Sequence, residues 1–206
     1  TGAPLPKGAD TILIQEDGKR DGDWITPAEL PVHGLYVRPA GMDFKAGDKL
    51  LAAGTVLNFQ TLSLAAAMNR PVLPVHRKPR VAILSNGDEL VYPGEKPRDD
   101  QIVASNAFGV ASLVRANGGE VIDLGIVRDS VDDIGNAFDR ASEARSDIIV
   151  TLGGASVGEH DLVRPALAGK NATLDFWKIA MRPGKPFMFG ALGKMTMLGM
   201  PGNPVS

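Results

Sequence analysis

The sequence predicts an α/β fold over residues 79–206, a parallel sheet covered by helices on both faces. Continuous apolar runs of strand length recur there: Val81-Ala82-Ile83-Leu84, then Glu120-Val121-Ile122-Asp123-Leu124-Gly125-Ile126-Val127, then the stretch from Asp147 to Leu152. Between them, apolar residues repeat at helical spacing. Strands buried on both faces read as near-continuous apolar runs, and their alternation with helices is the pattern of a parallel sheet.

Each element has its own grounds. Ala107, Val110, Ala111 and Val114 fall at i, i+3, i+4 and i+7, which predicts a helix over 107–117, and Gly118-Gly119 stop it. Ser130, with Asp133 three residues on, opens the next helix as a capping box does. Ile134, Ala137, Phe138 and Ala141 form that helix's inner stripe. A later apolar stretch runs from Met195 to Met200. Residues 1–78 have a different texture, rich in Gly and Pro, with β-like runs Thr11-Ile12-Leu13-Ile14-Gln15 and Gly34-Leu35-Tyr36-Val37. One helix is predicted near 60–68, ended by Asn69 and Pro71, and "HRKPR" at 76–80 reads as a linker. There are no internal repeats.

Composition narrows the function. With 44% hydrophobic and 22% charged residues, the 206-residue chain can bury a core of one to two domains. A net charge of −2 supplies no global field for nucleic acid or acidic membrane, so any anion must be held locally. The absence of cysteine excludes disulfides and thiolate metal sites and fits a reducing cytosol. No apolar stretch approaches the roughly 20 residues that span a bilayer. The chain opens on Thr1-Gly2-Ala3-Pro4 and closes on "MPGNPVS", and both ends read as cut from a longer protein.

In open α/β sheets ligands bind beyond the carboxyl ends of the strands. The segments following the strands are Ser85-Asn86-Gly87-Asp88-Glu89, Arg128-Asp129, Gly153-Gly154-Ala155-Ser156-Val157-Gly158 and Pro201-Gly202-Asn203-Pro204. Gly153 and Gly154 either make an ordinary strand-to-helix turn or keep the backbone bare for an anion, with Ser156 adding a hydroxyl. The glycines match neither a Walker P-loop nor G-x-G-x-x-G. Asp88, Glu89, Asp129 and Asp161 either cap and solvate these loops or serve Mg²⁺, which takes one or two carboxylates and fills its shell with water and phosphate oxygens. Lys178, Arg182 and Lys185, around Pro183-Gly184, are either a solvated turn or an oxyanion receiver. Gly154-Ala155-Ser156-Val157-Gly158 has the letters of a nucleophile elbow. The only later histidine, His160, is four residues on, so the hydrolase reading is rejected. His33, His76 and His160 have no metal-ligand spacing.

Eight stretches together resemble one family, the molybdopterin molybdenumtransferases (MoeA and the E domain of gephyrin): "TGAPLPKGAD", "GMDFKAGDKLL", "SNGDEL", "SN" at 105–106, "GIVRD", "GGASVGEHD", "PGKPF" and "GMPGNPVS". They occur in family order along the whole chain. The resemblance implies insertion of molybdate into adenylylated molybdopterin with release of AMP, Mg²⁺ as cofactor, a cytoplasmic homodimer, and neither nucleic acid nor membrane as partner. It implies that residues 1–35 end a β-rich domain, 36–78 belong to an elongated central domain, and 79–206 form the molybdopterin-binding α/β domain.

Carried over by position, the resemblance makes Glu89, Asp129, Asp161 and Lys185 catalytic. Substrate binding falls to Asp88, Gly153, Gly154, Ser156, Gly158, Lys178, Arg182, Pro201, Gly202 and Asn203, and Mg²⁺ to Asp88, Glu89, Asp129 and Asp161. Asn86 stands where the family usually has Thr, Ala104 where an acid commonly precedes S-N, and Leu152 and Ala155 where Ser and Val are usual. Two other readings stay open. One is the sister enzyme, molybdopterin adenylyltransferase, whose typical G-G-T-G differs from Gly153-Gly154-Ala155-Ser156; the other is a non-catalytic scaffold of the gephyrin E type.

Overall fold

The structure, a computed structural model, describes residues 2–154, 162–181 and 185–203. The chain forms two units, Thr1–Pro74 and Val75–Ser206.

In the first unit, β1 (Gly18–Asp21) and β2 (Trp24–Pro27) pair as an antiparallel hairpin. Gly22, at φ +56°, opens its two-residue turn, a conformation glycine adopts without penalty. Helix α1 (Phe59–Ala67) begins with a full capping box: Thr61 N–H donates to Asn58 Oδ1 at 3.0 Å and Asn58 N–H to Thr61 Oγ1 at 2.8 Å. It ends on Asn69 in the left-handed region, with Arg70 N–H reaching back to the Ala65 carbonyl at 3.1 Å. The helix expected near 60–68 is therefore present, shifted by one residue. The two expected β-like runs are not strands. Val37 N–H turns back to the Gly34 carbonyl and Tyr36 lies at φ 65°, which no strand continues through; Thr11–Ile14 has no ladder partner among the described residues.

The second unit contains β3 (Arg80–Asn86), β4 (Leu90–Val91), β5 (Ile102–Val103), α2 (Asn106–Ala116), β6 (Glu120–Val127), α3 (Val131–Glu143), β7 (Ile148–Leu152), α4 (Val163–Ala166), β8 (Ala172–Phe176), β9 (Met188–Leu192) and β10 (Met195–Met200). Its main sheet has the order β6-β3-β7-β10-β9-β8. The first four strands are mutually parallel, as expected, whereas β9 and β8 extend the sheet antiparallel. The helical rhythm lapses after α4. Gly193, at φ +60°, turns β9 directly into β10, and a two-residue connection joins strands only antiparallel.

Both faces of the sheet are covered. Ala82, Leu84, Ile149 and Met197 pack with Ile134, Ala137, Phe138 and Ala141 of α3. Val81, Ile83, Val150 and Leu152, pointing the other way, pack with Ala107, Val110, Ala111 and Val114 of α2. Every residue of the two predicted helical stripes lies in one of these clusters. Ser130 Oγ accepts from Asp133 N–H at 3.1 Å, but Ser130 N–H goes to the Arg128 carbonyl, so half of the expected capping box forms.

At the amino ends of the strands, residues read as a linker turn out to be structural. Arg77 Nη1 and Nη2 donate to Asp147 Oδ2 and Oδ1 at 2.7 and 2.6 Å, and Arg80 N–H adds a third bond to the same carboxylate at 2.8 Å. Arg77 is the largest cause that holds the Asp147 carboxyl at about 2, with the Arg80 N–H next, against a smaller opposing effect of desolvation.

Candidate functional site

Register places the site. Ser85 lies opposite Leu152, Asn86 opposite Val127, and Met200 opposite Leu152, so β3, β6, β7 and β10 end along one edge. The loops that leave it are tied at their roots: Gly87 N–H donates to the Val127 carbonyl at 3.2 Å and Gly153 N–H to the Met200 carbonyl at 3.0 Å. Four segments distant in sequence are thereby brought side by side.

A cavity of about 310 Å³ opens at this edge. Leu90, Ile102, Val103 and Leu152 give it apolar walls, and Ser85, Asn86, Glu89 and Asn106 give it polar ones. That mixture suits a flat heterocycle with polar edges. The two-residue strands β4 and β5 fix one wall, with Ile102 N–H donating to the Glu89 carbonyl at 2.8 Å and Ala104 N–H to that of Val91 at 2.9 Å. Asn106, the first residue of α2, donates through Nδ2 to the Gly202 carbonyl at 2.7 Å and so anchors the Pro201-Gly202-Asn203 loop. Gly87 and Glu89 are joined in a tight turn, and the Glu89 carboxylate lies where a side chain at position 87 would stand.

Both glycines of the pair have positive φ, +100° at Gly153 and +66° at Gly154. A Cβ on Gly153 would stand 2.6 Å from the Asn86 carbonyl oxygen, and one on Gly154 2.7 Å from both Asn86 Nδ2 and Val163 Cγ2. The bare backbone is thus required first by the protein itself. Asn86 packs against the pair, and Gly202 also approaches Gly153, its Cβ position 3.2 Å from the Gly153 Cα.

Asp88 and Asp129 meet at this edge. Asp129 N–H donates to Asp88 Oδ1 at 3.4 Å, and Asp129 Oδ1 accepts from Asn86 Nδ2 at 3.3 Å. Both carboxylates, and that of Glu89, are solvent-exposed. Among the described residues no three Asp, Glu or His side chains gather into a metal-holding group, so Asp88, Glu89 and Asp129 do not by themselves form the expected cluster. Asp161 lies outside the described residues. Mg²⁺ needs only one or two protein carboxylates and draws its remaining oxygens from water and phosphate, so the exposed Asp88 and Asp129 carboxylates are chemically suitable donors.

Ser156, Gly158 and Arg182 also lie outside the described residues. Lys178 and Lys185 are exposed, line no part of the cavity, and form no ion pair among the described residues. Their backbones are neighbours, because Ile179 N–H donates to the Lys185 carbonyl at 3.1 Å. Leu90, Ile102 and Val103 went unread in the sequence as site residues. Two-residue strands have no periodicity to betray them.

Residues 82–206 match a family described as "Probable molybdopterin binding domain", and residues 1–69 match "MoeA N-terminal region (domain I and II)". The chain is 39% identical over its whole length to a molybdopterin molybdenumtransferase of Nostoc sp., covering 48% of that protein. It is 40% identical to the one of Haemophilus influenzae, covering 51%. It therefore spans about half the length of the curated relatives it matches. The crystal structure of a molybdopterin biosynthesis MoeA protein from Pyrococcus horikoshii superposes on the whole chain with a TM-score of 0.79 at 32% identity, over 51% of that protein.

Proposed function

The chain belongs to the MoeA family of molybdopterin-binding proteins, and from that premise we propose that it acts in molybdenum cofactor biosynthesis, inserting molybdate into adenylylated molybdopterin with release of AMP. The observation that carries this reading is the cavity at the shared strand edge, lined by apolar Leu90, Ile102, Val103 and Leu152 and by polar Asn86 and Glu89. Its volume of about 310 Å³ accepts a fused heterocycle, and exposed Asp88 and Asp129 lie on the loops that leave the same strand edge.

The residues divide the work by chemistry. Leu90, Ile102, Val103 and Leu152 exclude water from the faces of the ring. Glu89, which lines the cavity and is placed by its turn with Gly87, moves protons as water attacks the phosphoanhydride and AMP leaves. Asp88 and Asp129 would hold Mg²⁺, with Asp161 as a further ligand, and the ion supplies neutralisation of the departing phosphate. Lys178 and Lys185, with Arg182, receive the molybdate oxyanion. Action as a cytoplasmic homodimer belongs to the same proposal. Residues 1–35, 36–78 and 79–206 are proposed as the end of a β-rich domain, part of an elongated central domain and the molybdopterin-binding domain.

The direct test is a fluorescence titration of the chain with adenylylated molybdopterin in the presence of Mg²⁺. Saturable binding that Leu152→Arg abolishes supports the reading; a chain that leaves the pterin emission unchanged overturns it.

A further inference from the structure

Asn86 is only 4% exposed, ends β3 and lines the cavity. A carboxylate only accepts, so the amide must turn its Nδ2 toward Asp129 Oδ1, at 3.3 Å. That orientation leaves Oδ1 beside the glycine pair, 3.4 Å from the Cβ position of Gly153 and 3.3 Å from that of Gly154, where Nδ2 is nearer still at 2.7 Å. There Oδ1 is buried with no hydrogen-bond partner among the described residues. A buried acceptor without a partner weakens a fold, and an apolar side chain of similar size in its place avoids that cost.

We propose that Asn86 is a positioning residue kept for the site rather than for the fold, holding the Asp129 carboxylate and the Gly153-Gly154 backbone in one fixed relation. This rests on the functional reading above and adds to it a residue that acts through Asp129. Asp129 is tied to the β3 loop at two points, its N–H by Asp88 and its carboxylate by Asn86. The Asn86 tie sets the direction of the carboxylate, because a single backbone bond leaves the side chain free to rotate. The same amide lies across both glycines, so the acid and the glycine loop cannot shift independently. A β3 residue with an apolar side chain fills the volume but holds neither.

The test is a double-mutant cycle on the chain, with adenylylated molybdopterin and Mg²⁺ as the probe and thermal melting as the parallel readout. Asn86→Leu is expected to melt no lower than wild type yet to weaken the probe roughly tenfold, the scale of one hydrogen bond to a charged group. In an Asp129→Ala background the same change should move the affinity less than about twofold, since the group Asn86 acts on is gone. Asn86→Val serves the same purpose if Leu overfills the space. A lowered melting temperature with the same affinity loss in both backgrounds overturns the inference, for Asn86 would then be a structural residue. Wild-type affinity in Asn86→Leu overturns it as well, while leaving the functional reading in place. A wild-type chain that does not bind the probe overturns both.

Discussion

Arg77 and Asp147, seventy residues apart, are joined by two parallel hydrogen bonds of 2.7 and 2.6 Å that lock the entry to β3 against the entry to β7. Asp147 is held at about 2, below the ordinary aspartate value of about 3.9. A carboxylate depressed in the folded state contributes stability above its unfolded pKa and loses it as pH falls through the folded one. The contribution is therefore complete above about pH 5 and disappears between about pH 4 and pH 2. Melting curves of wild type and Arg77→Ala should differ most near neutrality and converge toward pH 2. A constant gap across that range would show that the pair is not the source.

Phe138 has no exposed surface and fills the centre of the face between α3 and the sheet. Phe138→Ala should cost about 3–5 kcal/mol, from lost transfer free energy and the cavity left behind. Urea unfolding measures it. A cost below about 1 kcal/mol would mean that α3 collapses onto the sheet without strain.

The part of the fold legible in the sequence is the part with a period. Val81, Ile83, Ile134, Phe138 and Val150 announce themselves by strand or helix spacing, and each is buried where that spacing puts it. The placing of Asp129 and Glu89 at one edge was legible because parallel strands carry their following loops there. The antiparallel edge was not legible, because the turn at Gly193 decides it and no helix pattern marks its absence. Nor was the role of Asn86. A single amide at the end of a strand has no pattern, and its importance lies in an acid 43 residues away and a glycine pair just past the end of the neighbouring strand.

The glycine pair offers a graded test. At Gly154 a methyl group meets Asn86 and Val163 at 2.7 Å as well as an unfavourable φ of +66°. Gly118, at φ +80°, has nothing within 4 Å of its Cβ position. Gly118→Ala should therefore cost about 1 kcal/mol of backbone strain, and Gly154→Ala roughly 2–4 kcal/mol, strain plus overpacking. Gly154→Val should be worse still and disturb the fold as well as binding. Equal costs at the two positions, read from chemical denaturation, would show that Asn86 and Val163 yield freely.

The cationic segment separates anchoring from mere charge. Lys185 sits between Gly184 and Pro186, and its carbonyl is fixed by Ile179 N–H at 3.1 Å. Lys178 lies just past the end of β8 and is also exposed. Both carry one charge, so simple attraction of an oxyanion would make Lys185→Ala and Lys178→Ala equivalent and equally sensitive to salt. A fixed backbone instead places the Lys185 ammonium within a smaller volume, so less freedom is lost when it forms a charge-assisted hydrogen bond. Lys185→Ala should raise the molybdate concentration needed for half-saturation by roughly ten- to a hundredfold, the effect of about 1.5–3 kcal/mol, and Lys178→Ala by less. Lys185→Arg should recover part of the loss, since the charge returns at the same fixed root with a different donor geometry. Equal molybdate dependence of the two alanine variants would place the oxyanion elsewhere on the edge.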